Sequence, residues 1–170
     1  IIGWGPDTTQ DEAIVVPKNS PIKSVADLAG KSVAVNQAGS GEYMLDQALS
    51  YYKVPESSVH KVYLAAPAAL SAFGSGQVQA WATFATFIPI AQQQFGARVL
   101  VNGGKVHTNN FTVTFVSNSF AAKYPHLVKL LFDIYAAAAK KVKANPATYN
   151  RYLVQNEGFS AAEIAYTNSP

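Results

Sequence analysis

The sequence predicts an α/β chain: mostly parallel sheets with helices packed on both faces. Three observations carry this. Short apolar runs of strand length alternate with segments of helical period along most of the chain. Proline and glycine punctuate the joins between them. Apolar residues make up 49% of 170, enough for a packed core without metals or crosslinks.

Each element has its own signal. Ala13-Ile14-Val15-Val16 is a buried-strand run stopped by Pro17. Ser24 to Ala29 reads as one helical turn, with Ser24 and Asp27 as a capping box and Gly30 as the stop. Lys31 to Val35 is the next strand. An amphipathic helix follows Gly39-Ser40-Gly41, with Met44, Leu45, Ala48, Leu49 and Tyr52 on one face. Val62 to Leu64 is a strand, and Pro67 opens a helix that ends near Gly74 or Gly76. Val78 to Phe84 is a strand, followed by a helical stretch to Phe95 that Gly96 ends. Arg98 to Val101 is a strand leading into a loop at Asn102-Gly103-Gly104, and Phe111 to Val116 is another. A long helix is expected from about Ser119 to Ala144, with Leu127, Leu130, Leu131, Ile134, Ala138 and Val142 at helical spacing. Pro146 starts a further helix, and Ser160 with Glu163 forms a capping box for the last.

Composition removes several functions. The absence of cysteine excludes a disulfide framework, zinc ribbons and thiol chemistry. The net charge of +3 is mild and its thirteen basic residues are scattered, so no nucleic-acid stripe is expected. The cluster Lys140-Lys141-Lys143 reads as a solvated helix end. No run approaches the roughly 20 apolar residues of a membrane span. His60, His107 and His126 lack metal-ligand or catalytic spacing, and no G-x-S-x-G elbow occurs. Asp11-Glu12 reads as exposed carboxylates rather than an acid–base pair. No catalytic set, metal or cofactor is expected. Ile1-Ile2 reads as strand interior, so the chain is expected to begin partway through a longer protein, with any export signal upstream.

In parallel sheets ligands bind where a strand end turns into a helix. The loop Asn36 to Tyr43 is such a place. Gly39 and Gly41 remove bulk, Ser40 adds a hydroxyl, and the opening helix offers free amides and its positive dipole end. A sulfonate, sulfate, phosphate or carboxylate suits that site. The alternative reading, that Ser40 merely caps the helix, stays open. No Gly-Lys-Ser/Thr follows, so a nucleotide site is not expected. On the aromatic strand Trp81 and Thr83 share one face and Ala80, Ala82 and Phe84 the other. Trp81 either walls a pocket or packs in the core.

Val16-Pro17-Lys18-Asn19-Ser20-Pro21-Ile22, continuing through Val25-Ala26-Asp27-Leu28-Ala29-Gly30-Lys31 to Val33-Ala34-Val35, resembles the segment "VPKxSPIKSVADLxGKxVAV" of ABC-importer substrate-binding proteins of the aliphatic-sulfonate, taurine and nitrate group. Ala72-Phe73, Gly76-Gln77-Val78 and Ala80-Trp81 resemble the stretch "AFxxGxVDAW". Gly96 to Leu100, Phe120, Tyr124-Pro125 and Asn145-Pro146 resemble later parts, so the similarity covers nearly the whole chain.

The resemblance implies a type II periplasmic binding protein fold, with one complete lobe and part of the other. Residues 18–103 would form the second lobe. Residues 1–17 would be the end of the first lobe and a hinge crossover, and 104–170 the return to the first lobe with the C-terminal helices. Gly39, Ser40 and Gly41 match the family's anion loop, Trp81 and Thr83 match pocket-facing positions, and Gln10 lies on a crossover that can reach the cleft. The implied role is capture of a small sulfonate-like solute for a membrane permease, in the periplasm or extracellular space. Gln79 and Phe84-Ala85-Thr86-Phe87 depart from the family's "DAW" and "WDPY", which favours an uncharged or aromatic ligand body over a zwitterion such as taurine. Enzymes that resemble this family, pyrimidine-precursor synthases and sulfinate-cleaving enzymes, are the alternative, and a sensory input domain is the third. Exposed sheet edges would let the chain dimerise or swap strands.

Overall fold

A computed structural model of the chain describes residues 11–156, 160, 161 and 164, and the backbone of 3–6. Its strands are β1 (Gly3–Pro6), β2 (Glu12–Val16), β3 (Ser32–Val35), β4 (His60–Tyr63), β5 (Ala80–Phe84), β6 (Arg98–Asn102) and β7 (Phe111–Thr114). Its helices are α1 (Ser40–Tyr51), α2 (Ala66–Gly74), α3 (Phe87–Phe95), α4 (Gly103–Val106), α5 (Asn118–Lys123), α6 (Pro125–Ala144) and α7 (Pro146–Asn156). The described residues fall into two compact units, one holding 11–110 and the other 3–6 with 111 onward.

The first unit is a five-stranded sheet in the order β4-β3-β5-β2-β6. β3 pairs parallel to both β4 and β5, while β2 runs antiparallel to β5 and β6. Four strands therefore point one way and β2 alone opposes them, giving a mixed sheet. Ile14 and Val15 straddle a register shift against β6, where Leu100 is the extra residue.

Alternation along the strands splits the core in two. Ile14, Val16, Val33, Val35, Ala80 and Ala82 pack with Met44, Leu45, Ala48 and Leu49 of α1 on one face. The opposite face holds Trp81, ringed by Phe73 of α2 and Phe87 of α3 at 6.2 and 5.7 Å. Each Leu, Ile or Met buried here contributes roughly 1.5–3 kcal/mol, more than any surface charge pair.

Local signals set most boundaries. The Asp27 carboxylate accepts from the backbone N–H of Ser24 at 2.8 Å and of Lys23 at 2.9 Å, fixing the 3-10 turn Val25–Leu28. Gly96 ends α3 in the left-handed region at φ 61.

Three expectations need correction. The stretch after Asn102 is not a loop but the short helix α4, because the Asn102 side chain accepts from Lys105 N–H at 3.1 Å and caps it. The long helix from Ser119 is two helices. Pro125 has no N–H and forces the preceding residue out of helical geometry, leaving Tyr124 at φ −133, ψ 56 between α5 and α6. Tyr52 lies beyond the end of α1 and is exposed rather than part of its buried face.

In the second unit β1 pairs antiparallel with β7. α6 buries none of its side chains, and Leu130, Phe132, Ile134 and Tyr135 are all more than half exposed. Glu163, the second member of the expected box at Ser160, lies outside the described residues. No helix among the described residues is long and apolar enough to cross a membrane.

Candidate anion site at the start of helix α1

Strand direction gathers the site. β3, β5 and β6 point their carboxyl ends to one edge of the sheet, and β2, running the other way, begins there. Glu12 accordingly sits opposite Phe84. The loop from β3 into α1 and the segment after α4 reach the same edge.

The loop is tightly built. Asn36 turns back and accepts from Gly41 N–H at 3.1 Å, while its backbone carbonyl accepts from Gly39 N–H. Gly39 is the N-cap, so Ser40 and Glu42 occupy the first and third helical positions. No acceptor among the described residues meets the amides of Ser40 or Glu42, so these two point out as donors. Close packing also requires the glycines. A Cβ on Gly39 would lie 1.5 Å from Asn36 Nδ2, and one on Gly41 would lie 2.4 Å from the Ala82 carbonyl oxygen. The missing side chains let the loop fold on itself and on β5.

Ser40 does not cap the helix: its hydroxyl makes no bond to the helix backbone and is 3.1 Å from Asn110 Nδ2. The same nitrogen donates to Glu12 Oε1 at 2.5 Å. Asn109 N–H donates to the Tyr43 hydroxyl at 3.2 Å. Two successive asparagines are thus pinned to the first turn of α1. Asn110, Ser40 and Tyr43, with Ala38, Gly39, Glu42 and Asp46, border an open hollow of about 520 Å³.

Charge beside the hollow is largely committed. Glu42 Oε2 accepts from Ala38 N–H at 2.7 Å, and Oε1 accepts from the Tyr63 hydroxyl at 2.8 Å. The Ala38 bond, then the Tyr63 bond, hold the Glu42 carboxyl below the usual glutamate range, and the Glu42 carboxylate raises the Tyr63 phenol. Lys61 Nζ lies 2.7 Å from Asp46, 2.5 Å from Glu56 and 3.4 Å from Glu42. Partial burial works to lower the Lys61 pKa, but its bonds to Asp46 and Glu56 outweigh this and hold it above the ordinary lysine value.

Among the residues singled out from the sequence, Gly39, Ser40 and Gly41 come together at this edge. Trp81 is 2% exposed and Thr83 fully buried, and neither borders the hollow. Both face away from the α1 side of the sheet. Gln10 lies outside the described residues. Glu12, expected to be exposed, is 2% exposed and bonded to Asn110. The reason is the direction of β2, which no local pattern reveals. Glu12 and Asn110 are the polar residues sequence reasoning missed; their partners lie 70 and 98 positions apart along the chain.

The chain resembles known proteins along nearly its whole length. The chain is 37% identical over 96% of its length to the "Putative aliphatic sulfonates-binding protein" of Escherichia coli (strain K12), covering 51% of that protein. The alkanesulfonate-binding protein SsuA from Xanthomonas axonopodis pv. citri, solved bound to MOPS, superposes with a TM-score of 0.85 at 28% identity, over 97% of this chain and 57% of that one. The desulfurization enzyme DSZB shares the fold alone, with a TM-score of 0.76 at 19% identity over 97% of this chain and 62% of that one. The chain spans about half the length of the curated relatives it matches. Residues 8–149 match the family described as NMT1/THI5 like, and the chain belongs to that family.

Proposed function

We propose that this chain is part of the substrate-binding component of an ABC importer and captures a small organic solute bearing a sulfonate-like oxyanion. One observation carries the proposal. The first turn of α1, at the carboxyl edge of the sheet, presents the Ser40 hydroxyl and two amides that meet no acceptor among the described residues, in a chain related along nearly its whole length to a sulfonates-binding protein. Gly39, Ser40 and Gly41 form the anion-facing loop. Trp81 and Thr83 contribute through the packing that holds β5 in place. In the whole protein, the unit holding residues 11–110 acts as one lobe, wider than the 18–103 expected from the sequence because β2 lies inside its sheet, and residues 3–6 with 111 onward belong to the other. The location is periplasmic or extracellular, with delivery to a membrane permease.

Capture needs no bond to break. Amides and a hydroxyl already aimed at the oxyanion replace its water shell, each charge-assisted bond contributing about 1.5–3 kcal/mol. Calorimetric titration of the full-length protein with ethanesulfonate tests this. The expected result is saturable one-site binding at micromolar to low millimolar concentration without product formation. Turnover of a sulfinate would favour an enzyme on the fold shared with DSZB. No binding of ethanesulfonate, MOPS or sulfate would refute the proposal.

A further inference from the structure

The Ser40 hydroxyl accepts one hydrogen bond whose direction a buried carboxylate sets. Glu12 is an acidic side chain 2% exposed, and its Oε1 lies 2.5 Å from the Asn110 side-chain amide. A carboxylate oxygen only accepts, so at that separation the amide must present its nitrogen. The same nitrogen lies 3.1 Å from Ser40 Oγ. Ser40 therefore accepts from Asn110, and its single proton is directed elsewhere. No acceptor for that proton occurs among the described residues, and Ser40 borders the hollow at the start of α1.

We infer that Glu12 and Asn110 are positioning residues that occupy one Ser40 lone pair and leave its proton free for a ligand, so that the site favours oxyanions whose oxygens only accept. A sulfonate or sulfate has no proton near neutral pH and fits. A group that must itself donate to Ser40, such as an ammonium or a protonated phosphonate oxygen, has only the one lone pair that Asn110 leaves and makes no use of the Ser40 proton. This rests on the functional reading above and goes further by naming how the loop discriminates.

A double-mutant cycle on the full-length protein, titrated with ethanesulfonate, tests it. Ser40→Ala is expected to weaken binding about tenfold, the loss of one charge-assisted bond. Asn110→Asp is nearly isosteric, but its carboxylate captures the Ser40 proton and turns the hydroxyl around. Its added charge repels the anion in both backgrounds, so the readout is the difference: a loss at least about fivefold larger with Ser40 present than in the Ser40→Ala background. Glu12→Gln reads the same coupling if Asn110→Asp does not fold, with a loss of about two- to fivefold only while Ser40 is present. Equal losses in both backgrounds would overturn the inference and leave the role of Ser40 intact. An unchanged affinity in Ser40→Ala would instead sink the anion site itself, and the inference with it.

Discussion

Replacing Gly41 with alanine probes the contact on which the loop is built. The new Cβ would lie 2.4 Å from the Ala82 carbonyl oxygen and 2.6 Å from Asn36 Oδ1. The first neighbour is backbone of a central strand and cannot swing aside, so the start of α1 must lift by roughly half an ångström or more. Met44, Leu45, Ala48 and Leu49 anchor the helix against the sheet and resist that movement. Overpacking of this kind costs about 1–3 kcal/mol, and weakening the Gly41 N–H bond to Asn36 adds about 0.5–1.5 kcal/mol. Better helix propensity offsets up to about 1 kcal/mol. The net is about 2 kcal/mol, which lowers Tm by about 4–8 °C in a chain of this size. Circular dichroism melting measures it, and ethanesulfonate titration should show weakened binding because the Ser40 and Glu42 amides move with the helix. Gly30→Ala is the control: nothing lies within 4 Å of its Cβ, and its cost of about 1 kcal/mol comes from the positive φ of +74 alone. If Gly41→Ala melts like the parent protein, α1 is not pressed onto β5 and the steric account of the loop is wrong.

Other outcomes follow from the same geometry. Lys61→Met leaves Glu42, Asp46 and Glu56 facing one another and should destabilise by about 2–3 kcal/mol in urea unfolding, below the value for a fully buried pair because Asp46 and Glu56 are partly exposed. Glu42 has a folded pKa below its usual 4.5, so the stability it adds is complete above that value and lost as pH falls through the folded one. Glu42→Gln should therefore flatten the acid side of a Tm–pH profile and, by removing the carboxylate that raises the Tyr63 phenol, also soften the strongly alkaline side where tyrosine ionises. Trp81→Ala should cost about 3–5 kcal/mol of stability yet alter ethanesulfonate affinity less than about threefold, since its ring packs against Phe73 and Phe87 behind the sheet.

Elements whose signals are local were legible in the sequence. Pro67 at the start of α2, Gly96 after α3 and the buried stripe Met44-Leu45-Ala48-Leu49 each state their structure within one or two turns. Asn36 to Gly41 was legible as a strand-to-helix loop. The packing demand at Gly41 was not, because the obstructing atom belongs to Ala82, four tens of residues away. The alternation at Trp81 told which residues share a face but not which helices cover it. Glu12 was misread for a related reason: burial depends on β2 lying between β5 and β6, and strand direction is decided by partners far along the chain.

The position of β2 also has a consequence in time. Its five residues are buried throughout, and their hydrogen-bonding partners on both sides, β5 and β6, come much later in the chain. A ribosome adding about 5–20 residues per second makes Ala13-Ile14-Val15-Val16 several seconds before Trp81. Over that interval β3, α1 and β4 can assemble as a local right-handed crossover, while the apolar β2 ribbon waits with both edges bare. This sheet thus closes around β2 only once β5 and β6 have been made, and a chaperone that shields nascent apolar segments would find its target in residues 13–16.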